Sequence, residues 1–422
     1  MSEHQIRISE DKEYTRVASD EESIELLESN AKENDESFDG TLNEIEYENA
    51  ENLFKPVETV PKKSKRIYWA DCARIFSMLA IIFLHSAGYG CEQRLRGKQD
   101  PNWIVVCIYN SITRFGVPMF VLLSGTFILD PSKKFSFKKL FCHNIFRLTT
   151  AFIFWSTMNA IVHIYVYENK KPEEFLKLFI VGEEYLWFIF MIIGCYLISP
   201  FLRLFSDDIV LARYFLGLCV IWGSIIPTLR NVFHVFRMND AQTELDTWVS
   251  RWHYHFTLEF VGYFVAGYHL VKHVNVRSAF IRSILYLICF LDILFICHFT
   301  IYAEKNFKRY SKDFRETNTF TVAVYAVILF IFFKHEVGRV EFSERAIKII
   351  NKLSALTFGV YLSHMIIKGL ISSYLSVNPT SFFGIPVTPT IGCPLTFLVI
   401  TILSFSLSYI LSITPVLKKY VL

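Results

Sequence analysis

The stretch Trp69-Ala-Asp71-Cys-Ala-Arg74-Ile-Phe-Ser-Met-Leu-Ala-Ile-Ile-Phe-Leu-His85 decides the fold class. It is apolar over the length of about twenty residues that a helix needs to cross hydrocarbon. Blocks of the same kind recur along the chain, and the charged residues, 20% of the total, collect between them. With 52% hydrophobic and 16% aromatic residues among 422, the composition excludes an ordinary soluble domain. The expected fold is an all-α, polytopic transmembrane helical bundle, because only helices satisfy every backbone group inside a bilayer. A nucleic-acid partner is not expected.

Ten spans are predicted, near 69–90, 103–129, 141–166, 185–205, 208–228, 254–274, 279–302, 318–334, 346–374 and 392–416. Only Ser206, Asp207 and Asp208 separate the fourth from the fifth, which predicts a helical hairpin. Residues 1–60 hold 18 of the 40 acidic residues but 5 of the 43 basic ones. Such a segment cannot bury enough surface to offset its ordering entropy, so it reads as a disordered acidic tail. No cleavable signal pattern is expected, and the basic run Lys62, Lys63, Lys65, Arg66 favours a cytoplasmic N-terminus. The expected location is a plasma membrane or endomembrane. The nine cysteines form no CxxC motif and no metal spacing.

Ionisable groups inside a span cost about 2.5 to 3.5 kcal/mol each on insertion scales, so each is a functional candidate. Arg74 and His85 lie eleven positions apart, which places them roughly 20° apart in azimuth and about 16 Å apart along one helix face. A cation near one end suits the anionic part of a donor, and an imidazole deeper in the membrane suits proton transfer at its reactive end. Snorkelling for Arg74 and a helix-bridging hydrogen bond for His85 are the structural alternatives. Asp292, in the seventh predicted span, reads as a neutral, hydrogen-bonded acid. His253 and His255 point about 200° apart on a helix and do not converge on a metal; no metal site is expected.

The Arg, ten residues, His spacing is followed by Arg114-Phe-Gly116-Val-Pro118-Met-Phe-Val-Leu-Leu-Ser124-Gly125. Further on come Tyr185-Leu-Trp187-Phe188, Glu259-Phe-Val-Gly262-Tyr-Phe-Val-Ala-Gly267, and Ser354 to Phe358-Gly359-Val-Tyr361-Leu-Ser-His364. Over residues 66–416 the chain resembles the membrane acyltransferase 3 family. The resemblance implies transfer of an acyl group, most often acetyl, from cytoplasmic acyl-CoA to a hydroxyl or amine of a carbohydrate or other, lipid-linked acceptor at the opposite face. Acyl-CoA would then be a substrate, with no permanently bound cofactor.

On that resemblance Arg74 and His85 form the core of the site, with His85 as general base and Glu259 aligning or charge-balancing it. Many members carry Arg-x-x-Arg at the start of the third span, where this chain has Asn144-Ile-Phe-Arg147. Arg147 carries over as a donor-binding candidate, and Lys138, Lys139 and His143 are candidates for the missing charge. Arg114, Ser124, Trp187 and His364 are candidates for the acceptor side or the cavity wall. Gly116 with Pro118, and the Ser124-Gly125 step, predict a kink and a close backbone approach. Two other readings stay open: a transporter or flippase using the same charges, and a family member that has lost catalysis and serves as a binding protein.

Overall fold

Helix α1 (Tyr68–Ser86) carries the first predicted span from its start as far as Ser86. The computed structural model describes residues 66–87, 101–167, 170–252, 260–307 and 314–421. The predicted tail, residues 1–60, lies outside them, as do His253, His255 and Glu259. Helix α2 (Asn102–Ile128) follows, then α3 (Phe137–Val166), α4 (Pro172–Arg203) and α5 (Ile209–Val235). The short α6 (Asn239–Arg251) and α7 (Val261–Lys272) precede the long α8 (Ala279–Phe307). Helices α9 (Phe320–His335), α10 (Glu344–Leu375) and α11 (Pro389–Ile413) complete the bundle. The one small sheet among the described residues pairs Ser381–Phe382 with Ile385–Pro386 between α10 and α11.

Nine helices among the described residues are long and apolar enough to cross a membrane by length and composition: all of these except α6 and α7. The chain is therefore an all-α, multi-pass integral membrane protein. The sixth of the ten predicted spans is described only from Phe260 onward, one residue before α7 begins.

Burial sorts the helices. Helix α10 has 67% of its most apolar window buried, whereas α5, α8 and α11 have 22% each and turn most of their surface outward. Helix α1 divides two cores. Its alanines Ala70, Ala73 and Ala80 join a core built with α2, α7 and α9, while Met78, Ile81 and Ile82 join one built with α3, α4 and α10. Small residues let the α2 side approach closely, as interfaces without a hydrophobic driving force require. Gly116 shows how closely: a Cβ there would lie 2.8 Å from Cγ1 of Ile81 on α1.

Tight packing is most pronounced between α2 and α7. A Cβ on Gly125 would sit 1.7 Å from the carbonyl oxygen of Phe264, and one on Gly267 would sit 1.8 Å from that of Leu122. The two glycines thus let the helices touch backbone to backbone. The kink predicted around Gly116 and Pro118 is instead a break in α2 just before them, with separate helical pieces Asn102–Ile112 and Gly116–Ile128. Arg114 lies in that break.

Helix ends are satisfied by named groups, as burial without water demands. Asp208 caps α5 by accepting from the backbone N–H groups of Val210 (2.8 Å) and Leu211 (3.0 Å). Ser343 caps α10, and Lys334 donates to the carbonyls of Leu270, Val271 and Val274 at the end of α7. The Ser206–Asp208 linker turns the chain as expected, but α5 packs along α7 rather than back down α4. The Ser206 hydroxyl, which donates to the Leu129 carbonyl (3.0 Å), ties the linker to the end of α2 and so directs α5 toward α7.

Candidate active site

Arg74 is set in place by its own helix. Asp71, one turn earlier and 5% exposed, receives Nη1 of Arg74 at 3.2 Å, Nε of Arg66 at 2.7 Å and the Ser354 hydroxyl at 2.5 Å. Arg74 also donates to Ser354 Oγ (3.1 Å), which closes a triangle between α1 and α10. Its guanidinium lies 6.0 Å from the centre of the Phe127 ring. Pairing and hydrogen bonding of this kind are what make a charge tolerable at such depth. Outside the span, the hydrogen bond to Asp71 raises the Arg66 guanidinium above its ordinary value, outweighing the lowering by desolvation.

Arg74 faces a cavity of about 490 Å³ that opens between α1, α2, α3, α4 and α10. Arg147, His143, Asn144 and Ser124 line it too, and no Asp or Glu is among its lining residues. Arg147 is held with its guanidinium 5.4 Å from the centre of the Phe358 ring. A π-helical segment, Leu140–Ile145, carries His143 and Asn144 to the cavity wall; such segments widen a helix and recur at functional sites. Lys138 and Lys139, one turn earlier, are exposed and do not line the cavity. The Ser124 hydroxyl is bonded back to the Phe120 carbonyl at 2.8 Å.

His85 faces a second cavity, of about 460 Å³, with Arg114, Trp187, Lys368, Glu183, Glu184 and Glu316 among its lining. Arg114 donates through Nε to Asn110 Oδ1 (2.8 Å). Glu183 receives Nε2 of His163 at 2.6 Å. Trp187 is 41% exposed at the start of the long part of α4. The second cavity therefore mixes both charge signs with an aromatic face, whereas the first is cationic.

Three residues line both cavities: Ile81, Phe188 and Tyr361. Ile81 stands between Arg74 and His85 on α1, with Phe188 from α4 and Tyr361 from α10 beside it, so the two cavities meet at a partition of these three side chains. Tyr361 is fixed there by donating its hydroxyl to the Tyr185 carbonyl. Tyr185 donates in turn to the Leu362 carbonyl (2.8 Å) and accepts from Asn159 Nδ2 (2.9 Å).

His364 is fully buried and lines neither cavity, but its Nε2 lies 2.7 Å from Nδ1 of His85. The two rings are nearly parallel, at 13°. Among the candidate residues, the structure thus brings together Arg74, Arg147, His143 and Ser124 at one cavity and His85, Arg114 and Trp187 at the other. Asp292 lines neither cavity, and its Oδ2 has no hydrogen-bond partner among the described residues, in contrast to the expected bonded acid. No cluster of three His, Cys, Asp or Glu side chains suited to a metal ion occurs among the described residues.

Sequence reasoning passed over Asp71 and Ser354, although a carboxylate three positions before an arginine within a span is itself a signal. It also passed over Lys368, an ionisable residue inside the ninth predicted span, over Glu184 and Glu316, which stand outside the predicted spans, and over the apolar partition, which carries no charge to flag it. Comparison with curated proteins and with solved structures gives no match. The family model described as an acyltransferase domain matches residues 67–413, a stretch that contains both cavities and every candidate residue. The chain belongs to the acyltransferase 3 family of membrane acyltransferases.

Proposed function

We propose that this protein transfers an acetyl group from acetyl-CoA, bound in the Arg74 cavity from the cytoplasm, to a hydroxyl of a carbohydrate-bearing acceptor in the His85 cavity at the opposite face. The observation that carries the reading is the pair of cavities strung along one face of α1, meeting at Ile81, Phe188 and Tyr361. Arg74 and Arg147 present cations to the donor's phosphates, His143 adds a ring nitrogen beside them, and no lining carboxylate opposes them. The separation of Arg74 from His85, about 16 Å of helix, matches the reach of a pantetheine arm. The arm threads past the partition and delivers the thioester to His85.

His85 takes the proton from the acceptor hydroxyl as its oxygen attacks the thioester carbonyl. The tetrahedral oxyanion collapses with loss of the CoA thiolate, which receives the same proton from the imidazolium. Arg114 and Lys368 line the same cavity and supply positive charge toward the developing oxyanion. Trp187 offers a flat apolar face to a sugar ring, and Glu184 and Glu316 offer acceptors for its other hydroxyls. Membranes containing the protein, supplied with acetyl-labelled acetyl-CoA, are expected to label a glycan or lipid-linked acceptor, and His85→Ala membranes with equal protein to label none. Undiminished labelling by His85→Ala would overturn the reading. Uptake of an unmodified solute without acetyl transfer would favour a transporter instead.

A further inference from the structure

His85 uses one ring nitrogen, Nδ1, on a protein partner among the described residues, and that partner is His364. His364 uses both of its nitrogens. Its Nδ1 lies 2.5 Å from the carbonyl oxygen of Tyr361, one turn earlier on α10, and its Nε2 faces His85 at 2.7 Å. A carbonyl oxygen can only accept, so Nδ1 of His364 carries a proton. For two neutral imidazoles the direction of the whole chain is then forced: Nε2 of His364 bears the lone pair, and Nδ1–H of His85 donates to it.

We infer that His364 is a positioning residue that holds His85 as its Nδ1–H tautomer, leaving Nε2 as the basic nitrogen that serves the second cavity. The inference rests on the reading of His85 as the base. A free neutral imidazole favours the opposite tautomer, with Nε2 protonated and unable to accept. The bond from His364 reverses that preference and also fixes the plane of the ring, as the nearly parallel arrangement shows. When His85 takes the acceptor's proton on Nε2, its Nδ1–H keeps donating to His364, so no partner has to change at the moment of reaction.

His364 is itself held from several sides. It is 0% exposed, and the carbonyl that orders it belongs to Tyr361, whose hydroxyl is tied to the Tyr185 carbonyl on α4. Tyr185 is tied to α10 and, through Asn159, to α3. Three helices, α3, α4 and α10, thus fix the acceptor nitrogen that selects the His85 tautomer. This is the arrangement by which a second group dictates which nitrogen of a catalytic histidine is free.

Nitrogen-15 NMR of histidine-labelled protein in membranes tests the inference, with the His85 signals assigned by their loss in His85→Gln. The expected wild-type spectrum has His85 protonated on Nδ1 and unprotonated on Nε2. In His364→Phe the His85 proton is expected on Nε2. There kcat falls by about 10- to 100-fold, the range for loss of a residue that orients a reactive group, while KM for the donor is unchanged. His364→Gln, whose amide oxygen can accept in place of Nε2, is expected to recover most of the lost kcat. A wild-type His85 protonated on Nε2, or a Gln variant no better than Phe, would overturn the inference. Full activity of His85→Ala alongside the expected spectrum would instead remove the catalytic reading and leave the tautomer assignment standing.

Discussion

One substitution, glycine to alanine, should have opposite effects at different places in this bundle, and the geometry says where. At Gly125 the new Cβ would fall 1.7 Å from the Phe264 carbonyl oxygen and at Gly267 1.8 Å from that of Leu122, while at Gly194 and Gly217 nothing lies within 4 Å. Real Cβ contacts essentially never fall below 3.0 Å, so α2 and α7 must part by about 1.3 Å at Gly125. The obstacle is backbone, which cannot rotate away as a side chain can. The cost belongs at or above the upper end of the roughly 1 to 3 kcal/mol typical of overpacking. At Gly194 and Gly217 only helix propensity changes, a gain of about 0.5 to 1 kcal/mol. Thermal unfolding of the four purified variants in detergent, followed by intrinsic fluorescence, reads the difference directly. Gly125→Ala and Gly267→Ala should unfold well below wild type, and Gly194→Ala and Gly217→Ala at or above it. Equal midpoints for Gly125→Ala and Gly194→Ala would refute the backbone contact between α2 and α7.

Further outcomes follow from the site. Asp71→Asn removes the charge that receives Arg66, Arg74 and Ser354; donor KM should rise more than kcat falls. Ser354→Ala, which removes the hydroxyl bonded to both Asp71 and Arg74 but leaves their ion pair, should show a milder rise, equivalent to about 1.5 kcal/mol, and initial-rate kinetics on membranes separate the two. Phe188→Ala should widen the partition and raise kcat/KM for longer acyl-CoAs relative to acetyl-CoA, whereas Ile81→Trp should close it and abolish transfer while donor binding, measured by displacement of labelled CoA, persists. Arg147→Ala should raise donor KM and weaken its dependence on salt, because a charge-assisted phosphate contact is lost.

The class of the fold was legible in the blocks of hydrophobic sequence, because the bilayer imposes their length on any spanning helix. Packing order was not: nothing in the apolar pattern says that α5 leaves α4 for α7, where the Ser206 hydrogen bond to Leu129 anchors the linker and Gly262 of α7 leaves room for Cys219 of α5. Gly125 was legible as a close approach, but not Gly267, nor that the two lie at one contact, since contact between distant segments leaves no local mark. Arg74 and His85 stood out because charge in hydrocarbon is costly. Their surroundings did not, for Asp71 read as one more residue near a span's edge, and Ile81 and Phe188 as ordinary core. His364 was visible as a candidate, but its tie to His85 depends on how α1 and α10 sit side by side, 279 positions apart in sequence. The expected hairpin of α4 and α5 failed for a related reason: a short linker fixes where the next helix starts, not which neighbour it packs along.

The most direct test of the account is an experimental structure of the protein with acetyl-CoA, or a non-hydrolysable analogue, in a membrane mimetic. The account predicts phosphate density beside Arg74 and Arg147, the pantetheine arm passing between Ile81, Phe188 and Tyr361, and the thioester carbonyl within hydrogen-bonding reach of the His85 site. A donor bound away from Arg74, or an arm that ends in the first cavity with the partition closed and His85 untouched, would contradict it.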